Sequence, residues 1–168
     1  MNVRLMKENE LETFITETQK AFQNGYERYF GKCNETIIPR EDILASYNTL
    51  GSRCYVVDKD NKIIAGAIVV INEETNINDL HILFTKVGLE SKGIGFTLWE
   101  TIEGLYPKTI AWHTCTPYFD ERNINFYVNK CHFHIVEFFN KYHPDPNMSE
   151  DFIGDAGEGM FEFEKVMK

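Results

Sequence analysis

The apolar positions of this chain change their spacing repeatedly, and each change marks an element. Val3 and Leu5 alternate with polar neighbours, as in a strand. From 8 to 23 the spacing is helical, with Leu11, Phe14, Ile15, Thr18, Ala21 and Phe22 on one side, and Asn24-Gly25 reads as the stop. Residues 25–39 are aromatic and irregular, a plausible pocket wall. Pro39 opens a second short helix to Leu50, with Ile43, Leu44 and Tyr47 aligned. Two β-branched runs flanking Asp58-Lys59-Asp60-Asn61 predict a hairpin, and a third run covers Asp79 to Val87. Ile94, Leu98, Ile102 and Leu105 then mark a helix that Gly104 and Pro107 end. Residues 108–115 read as a strand, 119–131 as a helix, 133–139 as a strand. The terminal GMFEFEKVM alternates like a half-exposed strand.

The predicted order is β-α-α-β-β-β-α-β-α-β-β. It implies an α/β (mixed α+β) fold in which helices cover both faces of a central mixed sheet. At 168 residues, without repeats or a linker, residues 1–168 form one domain. The one long loop, Pro144 to Gly159, carries Asp145, Glu150, Asp151, Asp155 and Glu158 and no lysine or arginine. It reads as a solvated acidic loop, or as an acidic lip that recruits a cation.

Composition narrows the function by exclusion. A net charge of −9 disfavours nucleic acid as the main partner. No apolar run reaches membrane-spanning length and no signal peptide opens the chain, so no membrane partner and a cytoplasmic location are expected. Cys33, Cys54, Cys115 and Cys131 lack a CxxC spacing and read as scattered reduced thiols. His132 and His134 form an HxH without an evident third ligand, so no metal site is assigned.

One stretch carries specific chemistry. GLESKGIGFTLWETIE, 88–103, places Gly93 and Gly95 at the mouth of an amphipathic helix, where each costs stability relative to alanine. Bare backbone between a strand and a helix N-terminus lets an anionic group reach free amides and the positive end of the helix dipole. The phosphate loop GxxxxGK[ST] is absent, which disfavours a nucleotide-binding switch, and the third glycine of a dinucleotide fingerprint is missing.

The run TKVGLESKGIGFTL resembles motif A of the GNAT superfamily of N-acetyltransferases, Val-x-Pro-x-x-Gln/Arg-x-x-Gly-x-Gly/Ala. FYVNKCHF at 126–133 resembles its motif B, Phe-Tyr-x-x-Lys-x-Gly-Phe. The departures are Thr85 and Val87 for valine and proline, Glu90 for Gln/Arg, Asp120 for a frequent asparagine, and His132 for glycine. Glu90 is unfavourable beside a pyrophosphate unless it points away, and Lys92 could partly offset it. The resemblance spans nearly the whole chain, because the element order is that of the GNAT fold, a mostly antiparallel mixed sheet with helices on both faces.

The resemblance implies a transferase that moves acetyl from acetyl-CoA to a primary amine of a small molecule or peptide by direct attack. It places the cofactor on Leu83, Thr85, Val87, Ser91, Lys92, Gly93, Ile94, Gly95, Phe96, Asn123 and Phe126, with a backbone amide near Leu83 to Thr85 polarising the acetyl carbonyl. Tyr127 is the implied acid for the leaving thiolate. Asp79 and His81 occupy family base positions and share one strand face, and a water relay would also serve. Trp112, His113 and Tyr118 are candidates for the acceptor pocket, Trp112 being equally a core residue. A homodimer is the family-based expectation. A non-catalytic acyl-CoA-binding module of the same fold is the alternative reading.

Overall fold

The two β-branched runs do form a hairpin, and its two-residue turn explains why Asp60-Asn61 stands there. Both residues adopt positive φ, 52° and 60°, as a twisted two-residue hairpin turn requires. A computed structural model describes residues 1–147 and 159–168. Its elements are β1 (Asn2–Leu5), α1 (Leu11–Phe30), α2 (Arg40–Tyr47), β2 (Ser52–Lys59), β3 (Lys62–Val70), β4 (Ile77–Thr85), α3 (Ile94–Leu105), β5 (Ala111–Pro117), α4 (Glu121–Asn125), β6 (His134–Phe139) and β7 (Met160–Val166). The order is the one the periodicity predicts.

The strands form a single seven-stranded sheet in the order β1-β2-β3-β4-β5-β7-β6. Every pairing is antiparallel except β4 with β5. Helices cover both faces. Beneath α3, Leu98, Trp99 and Ile102 pack with Val57, Ala65, Leu80, Trp112 and Phe163. Beneath α1 and α2, Phe14, Ile15 and Ile43 pack with Val56, Ile68, Ile82 and Phe84. Trp112 is thus core, fully buried edge-to-face against Trp99. No helix among the described residues is long and apolar enough to cross a membrane.

Three features differ from the sequence pattern, besides shifts of up to three residues at several strand and helix ends. First, α1 runs through Asn24-Gly25 to Phe30. The extra turns are held by tertiary contact, with Tyr26, Tyr29 and Phe30 all packing on Phe119 at centroid distances of 4.8–5.7 Å. That contact outweighs the roughly 1 kcal/mol that a glycine costs in a helix. Second, the helix after β5 is one α-turn followed by a π-turn over Phe126–Lys130, closed by the Cys131 amide on the Phe126 carbonyl at 3.0 Å. Third, Leu105 is exposed, because α3 ends there. Of the acidic loop, Glu150, Asp151, Asp155 and Glu158 lie outside the described residues.

Candidate active site

The site is set by the place where the sheet comes apart. β4 and β5 pair only through Ile77–Asp79 and Ala111–His113. Beyond that rung β5 stays with β7 as far as Pro117 and β4 stays with β3 as far as Thr85, so the two diverge. The Thr114 hydroxyl spans the start of the gap, donating to the Leu80 carbonyl at 2.9 Å.

A β-bulge decides which backbone groups face this gap. On β3, Ile68 pairs with Ile82 and Val69 with Leu80, leaving His81 as the extra residue. In an unbroken strand, residues 80 and 86 would point their backbone groups to the same side. Here the Leu80 carbonyl faces β5, whereas the Lys86 amide donates to Ile64 on β3 at 2.9 Å. The bulge inverts the phase, so the backbone groups of Leu83 and Thr85 face the gap. Side chains follow the same inversion: Leu80 and Leu83 pack with the α3 cluster, Ile82 and Phe84 with the α1–α2 cluster.

The glycine loop closes one end of the gap. Gly93 caps α3 with φ 79°, a conformation that costs other residues roughly 1–2 kcal/mol. The first α-helical bond is Thr97 to the Gly93 carbonyl, which leaves the amides of Ile94, Gly95 and Phe96 without intrahelical partners. A Cβ on Gly95 would sit 3.3 Å from Thr85 Oγ1, 3.6 Å from Leu83 Cδ2 and 3.7 Å from Phe126 Cζ. Gly95 is therefore where α3, β4 and the π-turn meet, and its bareness keeps that meeting open. A Cβ on Gly93 would meet nothing within 4 Å, so the outer side of the loop is clear. The free amides and this bare cradle fit a pyrophosphate and its pantetheine arm.

Glu90 is occupied elsewhere. Its carboxylate accepts from the Gly88 amide at 2.7 Å and from Asn24 Nδ2 at 3.3 Å. The positive charge beside the loop comes from α4, where Arg122 Nη2 donates to Ser91 Oγ at 2.9 Å. Lys92 is exposed, and the Ile94 side chain is buried in the core, so Ile94 offers the loop only its backbone. Val87 stands apart, lining a groove on α1 with Gln23, Asn24 and Glu27. Asn123 reaches Thr116 Oγ1 at 3.3 Å, on the gap side of β5.

Tyr127 packs from the π-turn into the α3-face core, among Phe126, Phe133 and Phe163 at 5.3–5.7 Å. Burial pushes its phenol above the ordinary value, the Cys131 thiol adds to this, and the Thr114 hydroxyl pulls it partly back. Thr114 thus touches both the split strand and the buried phenol.

Asp79 and His81 lie on the α1–α2 face. Burial raises the Asp79 carboxyl, offset in part by His81 and His113. The His81 ring keeps an open edge and its Nδ1 lies 3.1 Å from Ser46 Oγ on α2; the surrounding protein lowers its pKa, with Asp79 opposing. His113 stands opposite Asp79 in the last paired rung and is bonded to Glu164 of β7. Tyr118 is 44% exposed beside Phe119. Thr114, Arg122 and Glu164 were not marked by the sequence pattern. Each acts across elements distant in the chain, and only the period-2 alternation of KTIAWHTC and GMFEFEKVM hinted at which face they occupy.

A strand that leaves its parallel neighbour at a bulge, and meets a glycine-opened helix, defines an acetyltransferase of the GNAT type. Residues 11–133 match the Acetyltransferase (GNAT) family, and the chain belongs to it. It is 41% identical to the uncharacterized protein YrkN of Bacillus subtilis (strain 168), over 99% of this chain and 93% of that one. Among solved structures it resembles the ribosomal-protein-S18-alanine N-acetyltransferase of Escherichia coli, with TM-score 0.73 at 12% identity over 99% and 94% of the two chains. It also resembles the PaiA N-acetyltransferase of Thermoplasma acidophilum in complex with coenzyme A, with TM-score 0.66 at 18% identity over 99% and 98%. At such identities the structural likeness speaks for the fold alone.

Proposed function

We propose that this chain transfers acetyl from acetyl-CoA to a primary amine of a small molecule by direct attack. The observation that carries the reading is the gap between β4 and β5, with the Leu83 and Thr85 amides on one wall, the Tyr127 phenol on the Thr114 hydroxyl at its start, and the free α3 amides at its end.

In this reading the amides of 94–96 hold the pyrophosphate, with Arg122 and Lys92 supplying positive charge and Ser91, Asn123 and Phe126 bordering the arm. The cofactor supplies an activated acetyl thioester. The Leu83 amide polarises its carbonyl, as an oxyanion-stabilising donor does. Asp79, assisted by His81, takes a proton from the amine, and Tyr127 donates one to the departing thiolate. A phenol raised by burial stays protonated until that thiolate appears. Asp79 and Glu164, on the α1–α2 face, favour an acceptor that arrives as an ammonium.

A thiol-release assay with acetyl-CoA and a panel of polyamines, arylalkylamines, amino acids, aminoglycosides and peptides tests this. Release that depends on one class of amine is the expected result. Thermal stabilisation by CoA with no release for any amine would leave the non-catalytic acyl-CoA-binding module in its place.

A further inference from the structure

The acetyl-transfer reading needs a proton to leave the acceptor and go somewhere. Asp79 is an awkward final holder, because it is half-buried and must be ionised again before the next cycle. The neighbouring strand offers what Asp79 lacks. His113 pairs with Asp79 in register, and both lie on the α1–α2 face, since Trp112 and Thr114 on either side of His113 point the other way. Its Nε2 is 2.9 Å from Glu164 Oε2 on β7, the residue directly across the β5–β7 ladder. Both side chains are partly open, at 29% and 35% exposure, so a proton there can reach water. A carboxylate can only accept, so the ring proton in this bond sits on Nε2 and the Nδ1 lone pair is left available.

We propose that His113, fixed by Glu164, receives the amine's proton from Asp79 and releases it to solvent. This rests on the acetyl-transfer reading. The acceptor N–H bond breaks and an O–H bond forms on Asp79. That proton then moves to Nδ1 of His113, restoring the carboxylate and making an imidazolium whose charge Glu164 balances. The nitrogen's freed electron pair forms the C–N bond, the C–S bond breaks, the thiolate takes its proton from Tyr127, and the second proton lost by the nitrogen restores the phenol. His113 is catalytic in this scheme and Glu164 is a positioning residue.

The charged surroundings of His113 are the rest of that face. Asp79 and His81 come from β4, Cys115 from β5 itself, and Glu162 and Glu164 from β7. His134 and Glu137 come from β6, in register with Glu164 and Glu162, and Asp145 follows β6. Lys165 and Lys168 line a groove with Glu164 and His134 and bring positive charge to that end of β7.

Two measurements test the proposal. The first is the 15N imidazole spectrum of the full chain, assigned with His113→Gln. The neutral ring should carry its proton on Nε2, and Glu164→Gln should disturb that signal. A proton on Nδ1 overturns the proposal whether or not an acceptor has been found. The second is turnover with an amine from the panel. His113→Gln should lose about 10²-fold in kcat at neutral pH, with acetyl-CoA affinity unchanged. Its rate should recover as the pH approaches the amine's own pKa, because a neutral amine needs no base. Glu164→Gln should lose about tenfold or more, Glu164→Asp should regain most of it, and the double variant should be no worse than His113→Gln alone. Wild-type turnover with His113→Gln unimpaired overturns the relay and leaves the acetyltransferase reading standing. Wild-type inactivity toward every amine sinks that reading instead.

Discussion

Tyr127, the proposed acid, illustrates how a candidate side chain can be readable in sequence while its setting is not. The Phe-Tyr pair of the second motif marks it, but its burial depends on Phe163, a residue of the last strand. Tyr127→Phe keeps the ring contacts and removes the proton. It should bind acetyl-CoA as the wild type does and lose at least about 10²-fold in kcat. Raising the pH should not restore it, because the defect lies in protonating a thiolate. Full activity in this variant would take Tyr127 out of the mechanism. Asp79 makes the complementary prediction. Burial raises its carboxyl above the unfolded value, so its ionised form opposes folding at neutral pH, and that cost fades as the pH falls through its pKa. Asp79→Asn should therefore melt higher than wild type at pH 7, with the gain shrinking in acid, while turnover drops. A variant that melts lower at neutral pH would mean that the Asp79 charge is stabilising as it stands. Thr114 and Glu164 escaped the sequence reading because their partners, Leu80 and His113, sit 34 and 51 residues away.

At the scale of elements, strand–loop–helix punctuation was legible and the detail of each end was not. Gly93 and Gly95 stand out because a helix start that tolerates two glycines must need them, and both needs are visible: positive φ at one, three-way contact at the other. Gly95→Glu places a bulky anion where Thr85, Leu83 and Phe126 converge. CoA should no longer raise its melting temperature, although the protein should keep its far-ultraviolet circular dichroism. An unchanged thermal shift would move the cofactor elsewhere. The length of α1 was hidden because Asn24-Gly25 is a strong local stop, and only contact with Phe119, far along the chain, overrides it. The π-turn was equally hidden. A helical period barely distinguishes an α-turn from the wider turn that carries Tyr127.

At the scale of the whole molecule, the sheet is two parts joined in its own plane by limited strand pairing. One part is β1 to β4; the other is β5, β7 and β6. Within the sheet they are joined by three paired rungs and the Thr114 hydroxyl on Leu80, while α3 packs across both through Trp112 and Phe163. Thr114→Val preserves shape but leaves that carbonyl without its donor, for which about 1–3 kcal/mol of destabilisation is expected. Because the same hydroxyl touches Tyr127, the loss should appear both as a lower Tm and as slower turnover. A change in only one of them would show that Thr114 serves only the fold or only the site. The topology itself was readable because the order of periods leaves few arrangements for the chain. The gap was not, since no local pattern in INDLHILFT announces that the strand will shed one neighbour.

The bulge at His81 works like a shift of reading frame along β4. Every residue beyond it addresses a different neighbour from the one it would address in an unshifted strand. The group that the proposed mechanism brings to the acetyl carbonyl is then part of the main chain, and no amino-acid exchange at Leu83 other than proline can delete it. A substitution scan across β4 would score Leu83 as a packing position, tolerant of isoleucine or methionine, and pass over it. Removing residue 81 would not reveal it either, since Ile82 stays opposite Ile68 and the Leu83 amide still faces the gap. A backbone ester at Leu83, which replaces that one N–H by oxygen, should lower the rate with all side chains intact. If the ester were as active as the amide, the carbonyl would have to be polarised from another part of the gap.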